Sequence, residues 1–129
     1  MESSILNSTK KALGIAEDYV AFDPEIVMHI NSTFSTLQQL GVGPANGFFI
    51  TDKAATWADY GLADDNMLNS VRTYVYLKVR LLWDPPTTSF AIAAMEKQAQ
   101  EFEWRLHVHM EGVRHPWQDP LTTTSLTTE

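Results

Sequence analysis

The stretch that most constrains the fold of this chain is NMLNSVRTYVYLKVRLLWDPP, residues 66–86. It holds no glycine, and no proline before its end. Val71, Tyr74, Val75, Val79 and Leu82 recur at helical spacing and draw one apolar stripe. Tyr76, Leu77, Leu81 and Trp83 widen that stripe until little polar face is left. A helix apolar on nearly all sides has to be covered on nearly all sides, so the spacing predicts a central helix. Arg72, Lys78 and Arg80 are spread around it. Their stems can lie along apolar neighbours while the heads reach water or a carboxylate. Asp84-Pro85-Pro86 stops the helix, because a residue before proline leaves the helical region and two prolines cannot continue it.

The flanking segments read as further helices. Ser3 or Ser4 caps a first one, with Ile5, Leu6, Thr9 and Leu13 on one side and Gly14 as its end. Residues 15–22 form a connector whose Tyr19, Val20 and Phe22 are expected to pin it to the core. Asp23-Pro24-Glu25 starts a second helix, with Asp23 as cap, Pro24 in the first turn and Glu25 at the positive end of the dipole. Ile26, Val27, Ile30, Phe34, Leu37 and Leu40 make its apolar stripe, and Gly41 closes it. Its other side, Asn31, Ser32, Thr33, Ser35, Gln38 and Gln39, is polar but uncharged, which suits contact with a neighbouring protein.

Residues 41–47 are turn-rich, Phe48-Phe49-Ile50 reads as a short extended piece, and residues 56–61 as one helical turn with Trp57 and Tyr60 inward. A loop this long between two helices is often an interaction element. Asp64, Asp65 or Asn66 caps the central helix. Thr87, Thr88 or Ser89 opens a last long helix. Ala91, Met95, Gln98, Phe102 and Leu106 mark its expected buried stripe, and Ala94 and Ala99 permit close approach. Glu96, Lys97, Glu101, Glu103 and Arg105 mark its wet side, with Glu101 and Arg105 in the favourable i,i+4 order.

The expected fold is therefore all-α, a small bundle of about four helices with a long aromatic loop. Its core comprises Ile30, Phe34, Trp57, Tyr74, Val75, Val79, Leu82, Phe102 and Leu106. Gly112 breaks the periodicity, which divides the chain into a helical domain, 1–111, and an extended C-terminal arm, 112–129. The arm has two prolines, many threonines and no period. It also carries Val113, Arg114, Trp117, Leu121 and Leu126, and threonine suits an added β-strand, so the arm reads as a segment that docks on a partner.

Composition narrows the function. A chain of 129 residues fits one domain. No stretch reaches the ~18 consecutive apolar residues of a membrane span, and the N-terminus lacks a signal peptide's apolar run. There is no cysteine, which excludes disulfides and thiolate metal sites and suits assembly in the cytosol. The net charge is −7. A protein that grips nucleic acid by neutralising phosphates has the reverse balance. An acidic surface suits a conduit through which DNA slides.

Candidate chemistry is sparse. His107, His109 and His115 lack the i,i+4 spacing of a helical metal pair. Asp52, Asp59, Asp64 and Asp65 could form a carboxylate cluster, but helix capping already explains Asp64 and Asp65. There is no nucleophile elbow and no phosphate loop. Arg72, Lys78 and Arg80 do not share one helix face, so salt bridges explain them better than a DNA-facing strip. Trp57, Trp83 and Trp104 read as core or interface anchors. No catalytic residue, metal or cofactor is expected.

The segments SILNSTKKALGIAEDYVAFDPEIVMHINSTFSTLQQLGVGP, ATWADY, VRTYVYLKVRLLWDPP and MEKQAQEFEWRL, in this order across residues 3–106, resemble the small head–tail connector (adaptor, or head-completion) proteins of long-tailed bacteriophages. The resemblance implies an all-α subunit of a ring, commonly dodecameric, in the virion neck beneath the portal protein. Such a ring extends the DNA channel, acts in genome ejection and carries the next neck or tail-completion protein. No catalytic residues carry over. Terminal arms of such adaptors often bind the portal, which makes Val113, Arg114, Trp117, Leu121 and Leu126 the candidate docking arm. Asn31, Ser35, Gln38, Gln39, Phe48 and Phe49 are the candidate ring interface. The alternative is a small regulator of DNA packaging that contacts DNA or the packaging motor. That reading needs a basic recognition helix, and the basic helix here is the apolar one.

Overall fold

The computed structural model describes residues 3–114. Five helices follow one another in the chain: α1 (Ile5–Ala12), α2 (Asp23–Gln39), α3 (Trp57–Tyr60), α4 (Asp65–Trp83) and α5 (Ser89–Arg114). The fold is all-α, and the only extended pairing among the described residues is an isolated bridge between Ser4 and Thr56. Phe48, Phe49 and Ile50 therefore form no strand.

α4 is the middle layer. α2 packs on one side of it and α5 on another, while α1 touches both α2 and α4. Asp64 caps α4 by accepting from the backbone N–H groups of Asn66 (2.9 Å) and Met67 (3.2 Å). Val71, Tyr74, Val75, Leu77 and Val79 of α4 are buried among Ile26, Ile30, Phe34 and Leu37 of α2 and Ala99 and Leu106 of α5. Burying each large aliphatic side chain stabilises the bundle by about 2 kcal/mol. Of the expected core residues, Phe102 is half-buried, packed against the cluster. Leu82 is a correction: it is 52% exposed. It follows Val79 by three residues near the helix's end and lines an open pocket with Ile92 and Glu96 of α5, which does not close over it.

The connector over residues 15–22 is held differently from expectation. Tyr19 and Val20 are exposed, and Phe22 meets the rings of Tyr19 and Trp83 edge-on, centroids 5.5 and 5.2 Å apart. The anchor is Lys10 of α1, whose side chain is 1% exposed. Its Nζ donates to the carbonyls of Glu17 (3.0 Å) and Tyr19 (2.8 Å) and pairs with the Asp23 carboxylate at 2.8 Å. A buried ammonium is tolerated only when its charge is balanced and its protons engaged; here two carbonyls accept from it and the Asp23 carboxylate balances its charge. This also explains why Asp23 does not cap α2. The cap position is Phe22, without a side-chain bond, and Asp23 turns to Lys10 instead.

The long loop is clamped by backbone and polar contacts. Ser4 donates to the Lys53 carbonyl at 2.7 Å, and the Ile5 and Trp57 amides bond to Ala55 and Ser3. Thr56 and Asp59 close a reciprocal capping box on α3. That turn drives Trp57 and Tyr60 into an aromatic cluster with Phe34 and Phe48, and Tyr60 stacks on Phe34 at 5.0 Å. Gly43 sits at φ +92°, and a Cβ there would lie 2.6 Å from the Tyr60 hydroxyl. The tyrosine can pack so close only because that position is glycine.

α5 runs on through Gly112 to Arg114. Glycine weakens a helix by about 1 kcal/mol relative to alanine but does not forbid it. The expected break at Gly112 is therefore absent, and Val113 and Arg114 belong to the helix. Trp117, Leu121 and Leu126 lie outside the described residues. The buried stripe of α5 is also shifted from expectation. Met95, Ala99, Phe102, Leu106 and Met110 face the bundle, whereas Gln98 and Ala94 are exposed.

Two substitutions test these contacts. Lys10→Ala leaves Asp23 and two carbonyls without their cation and lowers stability by about 3 kcal/mol in urea denaturation. Gly43→Ala combines overpacking with a strained backbone and costs about 2 kcal/mol in the same measurement. Adding Tyr60→Phe to it recovers only the part due to the hydroxyl contact.

Candidate functional site

The polar residues that could have formed a reactive site are spread through the structure and engaged in local contacts. Asp52 accepts from the Ala54 amide (2.8 Å), Asp59 from Thr56 (2.8 Å), and Asp64 caps α4. Among the described residues, no three His, Asp or Glu side chains gather where they could hold a metal. The His107 ring lies 3.4 Å from the Leu40 carbonyl. Three of the arginines are occupied as well. Arg72 stacks over Trp57 at 5.3 Å, and Arg80 donates to the Asp84 carbonyl at 2.6 Å. Arg105 pairs with Glu101 and lies over Phe102. Arg80 thus satisfies a backbone oxygen at the helix end where a salt bridge was expected.

What the structure leaves open is apolar surface, in two places. The first is the face of α5 turned away from α4. Phe90 is 85% exposed, Trp104 is 66% exposed, and Val108 is exposed beside them. Residues 90, 97, 101, 104 and 108 recur at helical spacing, opposite the buried stripe. Trp104 is thus excluded from the core, and the face expected to be simply charged carries three large apolar groups. The signal was legible as a second set of apolar residues in the same helix, but the charges between them masked it.

Glu103, expected on the wet side, is half-buried instead. It accepts a 2.6 Å hydrogen bond from the Tyr74 hydroxyl, which ties α5 to α4. Burial, then that hydrogen bond and the carboxylate's charge, push the Tyr74 phenol well above its ordinary value of 10.0. Burial alone pushes Tyr60 up.

The second open surface is a groove of about 870 Å³ beside α2. Val20, Pro24, Val27 and Phe49 line it, with Glu17, Asp18 and Asp52 among its polar groups. Phe49 is 72% exposed. Only part of the candidate ring interface is available on this side. Asn31 is spent inside the chain: its side chain donates to the Ile50 carbonyl (2.9 Å) and accepts from the Ile50 amide (2.7 Å). Gln38 donates to the Ala45 carbonyl at 3.1 Å, and Phe48 packs on Phe34 and Tyr60. Ser35, Gln39 and Phe49 are exposed.

A structure with apolar outer faces and engaged polar groups is built for contact with other proteins. Comparison with known families agrees. A family model described as phage connector protein matches residues 5–113. The chain belongs to the phage connector protein family. No curated protein and no solved structure matches it. The connector family is a structural one rather than a family of enzymes. None of the connector's described helices is long and apolar enough to cross a membrane.

The Tyr74–Glu103 contact predicts how the connector responds to alkali. A phenol whose folded pKa is raised stabilises the fold fully below pH 10. That contribution is lost as pH rises further, by about 1.4 kcal/mol per pH unit for each such tyrosine. Tyr74→Phe should therefore lower stability at neutral pH by about 1.5 kcal/mol and flatten the loss above pH 10. Urea denaturation at pH 7 and pH 11 measures both.

Proposed function

We propose that this phage connector is the head–tail adaptor of a tailed phage. Copies of it form a closed ring under the portal protein, extend the DNA channel and carry the next neck or tail-completion protein. The observation that carries the reading, beside family membership, is the apolar outer face of α5, with Phe90 and Trp104 in solvent. Among the described residues no element covers it, whereas a ring or a portal would. The chain's charge supports the conduit part of the reading. At −7 per copy, a ring would present DNA with a strongly negative lumen that lets it slide. The alternative, a packaging regulator that contacts DNA, finds less support: Lys10, Arg72, Arg80 and Arg105 are all held by groups of their own chain.

The arm from residue 112 onward is the portal-docking element in this proposal, with Val113, Arg114, Trp117, Leu121 and Leu126 as its contacts. Ordering an arm on binding would couple attachment to a finished portal. Assembly takes place in the host cytoplasm, and the finished ring sits in the virion neck.

The test is the mass of purified portal protein mixed with the connector, full length or ended after Gly112, by light scattering. The full-length chain should add a defined ring of copies, and the shortened chain should not. Binding by both would move the contact to the helical domain. Failure of both to bind portal, with a shift of DNA at physiological salt, would replace the adaptor by the packaging regulator.

A further inference from the structure

We propose that the outer stripe of α5 in one copy seats in the α2 groove of the next copy. This names the ring contact and rests on the ring reading above. The two surfaces are complementary halves found on one chain. The groove is concave and apolar along Val20, Val27 and Phe49. The stripe is a helical ridge with Phe90, Trp104 and Val108 standing out from it. A groove of about 870 Å³ has room for more than one such side chain.

Charge matches in the same sense. Four carboxylates, Glu17, Asp18, Asp23 and Asp52, line the groove against Lys53. Asp23 is paired with Lys10, while Glu17 and Asp52 accept from neutral groups, the Asn7 side chain and the Ala54 amide, and keep their charge. Helical spacing puts exposed Lys97 in the middle of the stripe, between Phe90 and Trp104. Its neighbour Glu101 is neutralised by Arg105. Between Phe90 and Val108 the ridge therefore brings one unmatched cation, Lys97, to a net negative groove. Complementary charge fixes register and speeds encounter.

One copy cannot make this contact with itself. The stripe faces away from α4, and the groove lies on the flank of α2, with α4 between the two helices. A contact between two different surfaces, repeated head to tail, generates a ring when its rotation closes. A two-fold pair that exchanged both ridges would bury the same surfaces but would stop at two copies.

The absence of cysteine makes the test direct. Two double variants are made in the full-length chain: Phe49→Cys with Trp104→Cys, and Asp18→Cys with Lys97→Cys. The second pair leaves every apolar contact in place. Each is treated with a short bis-maleimide, alone and on purified portal protein, and its uncrosslinked mass is read by light scattering. The expected result is a ladder of dimers, trimers and higher species from either double variant. An equal mixture of the two single variants should stop at dimers, and each single variant should stay monomeric. Double variants that stop at dimers, or dimers from a single variant alone, would mean a symmetric contact and overturn the proposal. A ring mass without a ladder from either pair would overturn this pairing while leaving the ring in place. Neither ring nor ladder would overturn both.

Discussion

The girth of α4 governs this structure. Its apolar residues run so far around the helix that one neighbour cannot cover them, and exposing them to water would cost about 25 cal/mol for each Å². The chain answers with α2 and α1 on one side and α5 on another. That arrangement places α5 at the outside of the bundle. A helix in that position needs only one apolar face, yet α5 has two. The demand of the core thus sets where the outward ridge stands, and the Tyr74–Glu103 hydrogen bond keeps it there.

Elsewhere the chain is held by polar contacts of high local value. Lys10 gathers two carbonyls and a carboxylate, and so fixes the connector and the start of α2 with one side chain. Asn31 pairs with both backbone groups of Ile50 as a strand neighbour would. These contacts leave Val20 and Phe49 outside while holding their backbones in place. A groove with an apolar lining results.

Helix positions were legible because they rest on local rules. The period of residues 71–79, the proline stop after Asp84, the glycine after α1 and the capping of α4 by Asp64 are all decided within a few residues. The connector resemblance was legible for the same reason, since it rests on the order of such patterns, and the family match over residues 5–113 agrees with it. Inferences about long-range partners fared less well. Asp23 has the form of a cap, but a lysine thirteen residues earlier offers a better partner, so it turns away. Glu103 reads as a wet residue until Tyr74 is brought beside it.

The amino-acid sequence by itself determined the helical class, the element order and the central place of α4, because hydrophobic period and turn chemistry act locally. Tertiary structure alone decided which apolar residues stay outside. Leu82, Phe90 and Trp104 are as apolar as their buried neighbours. They differ only in lying where no second described element closes over them, and burial depends on the presence of that element, not on the residue itself.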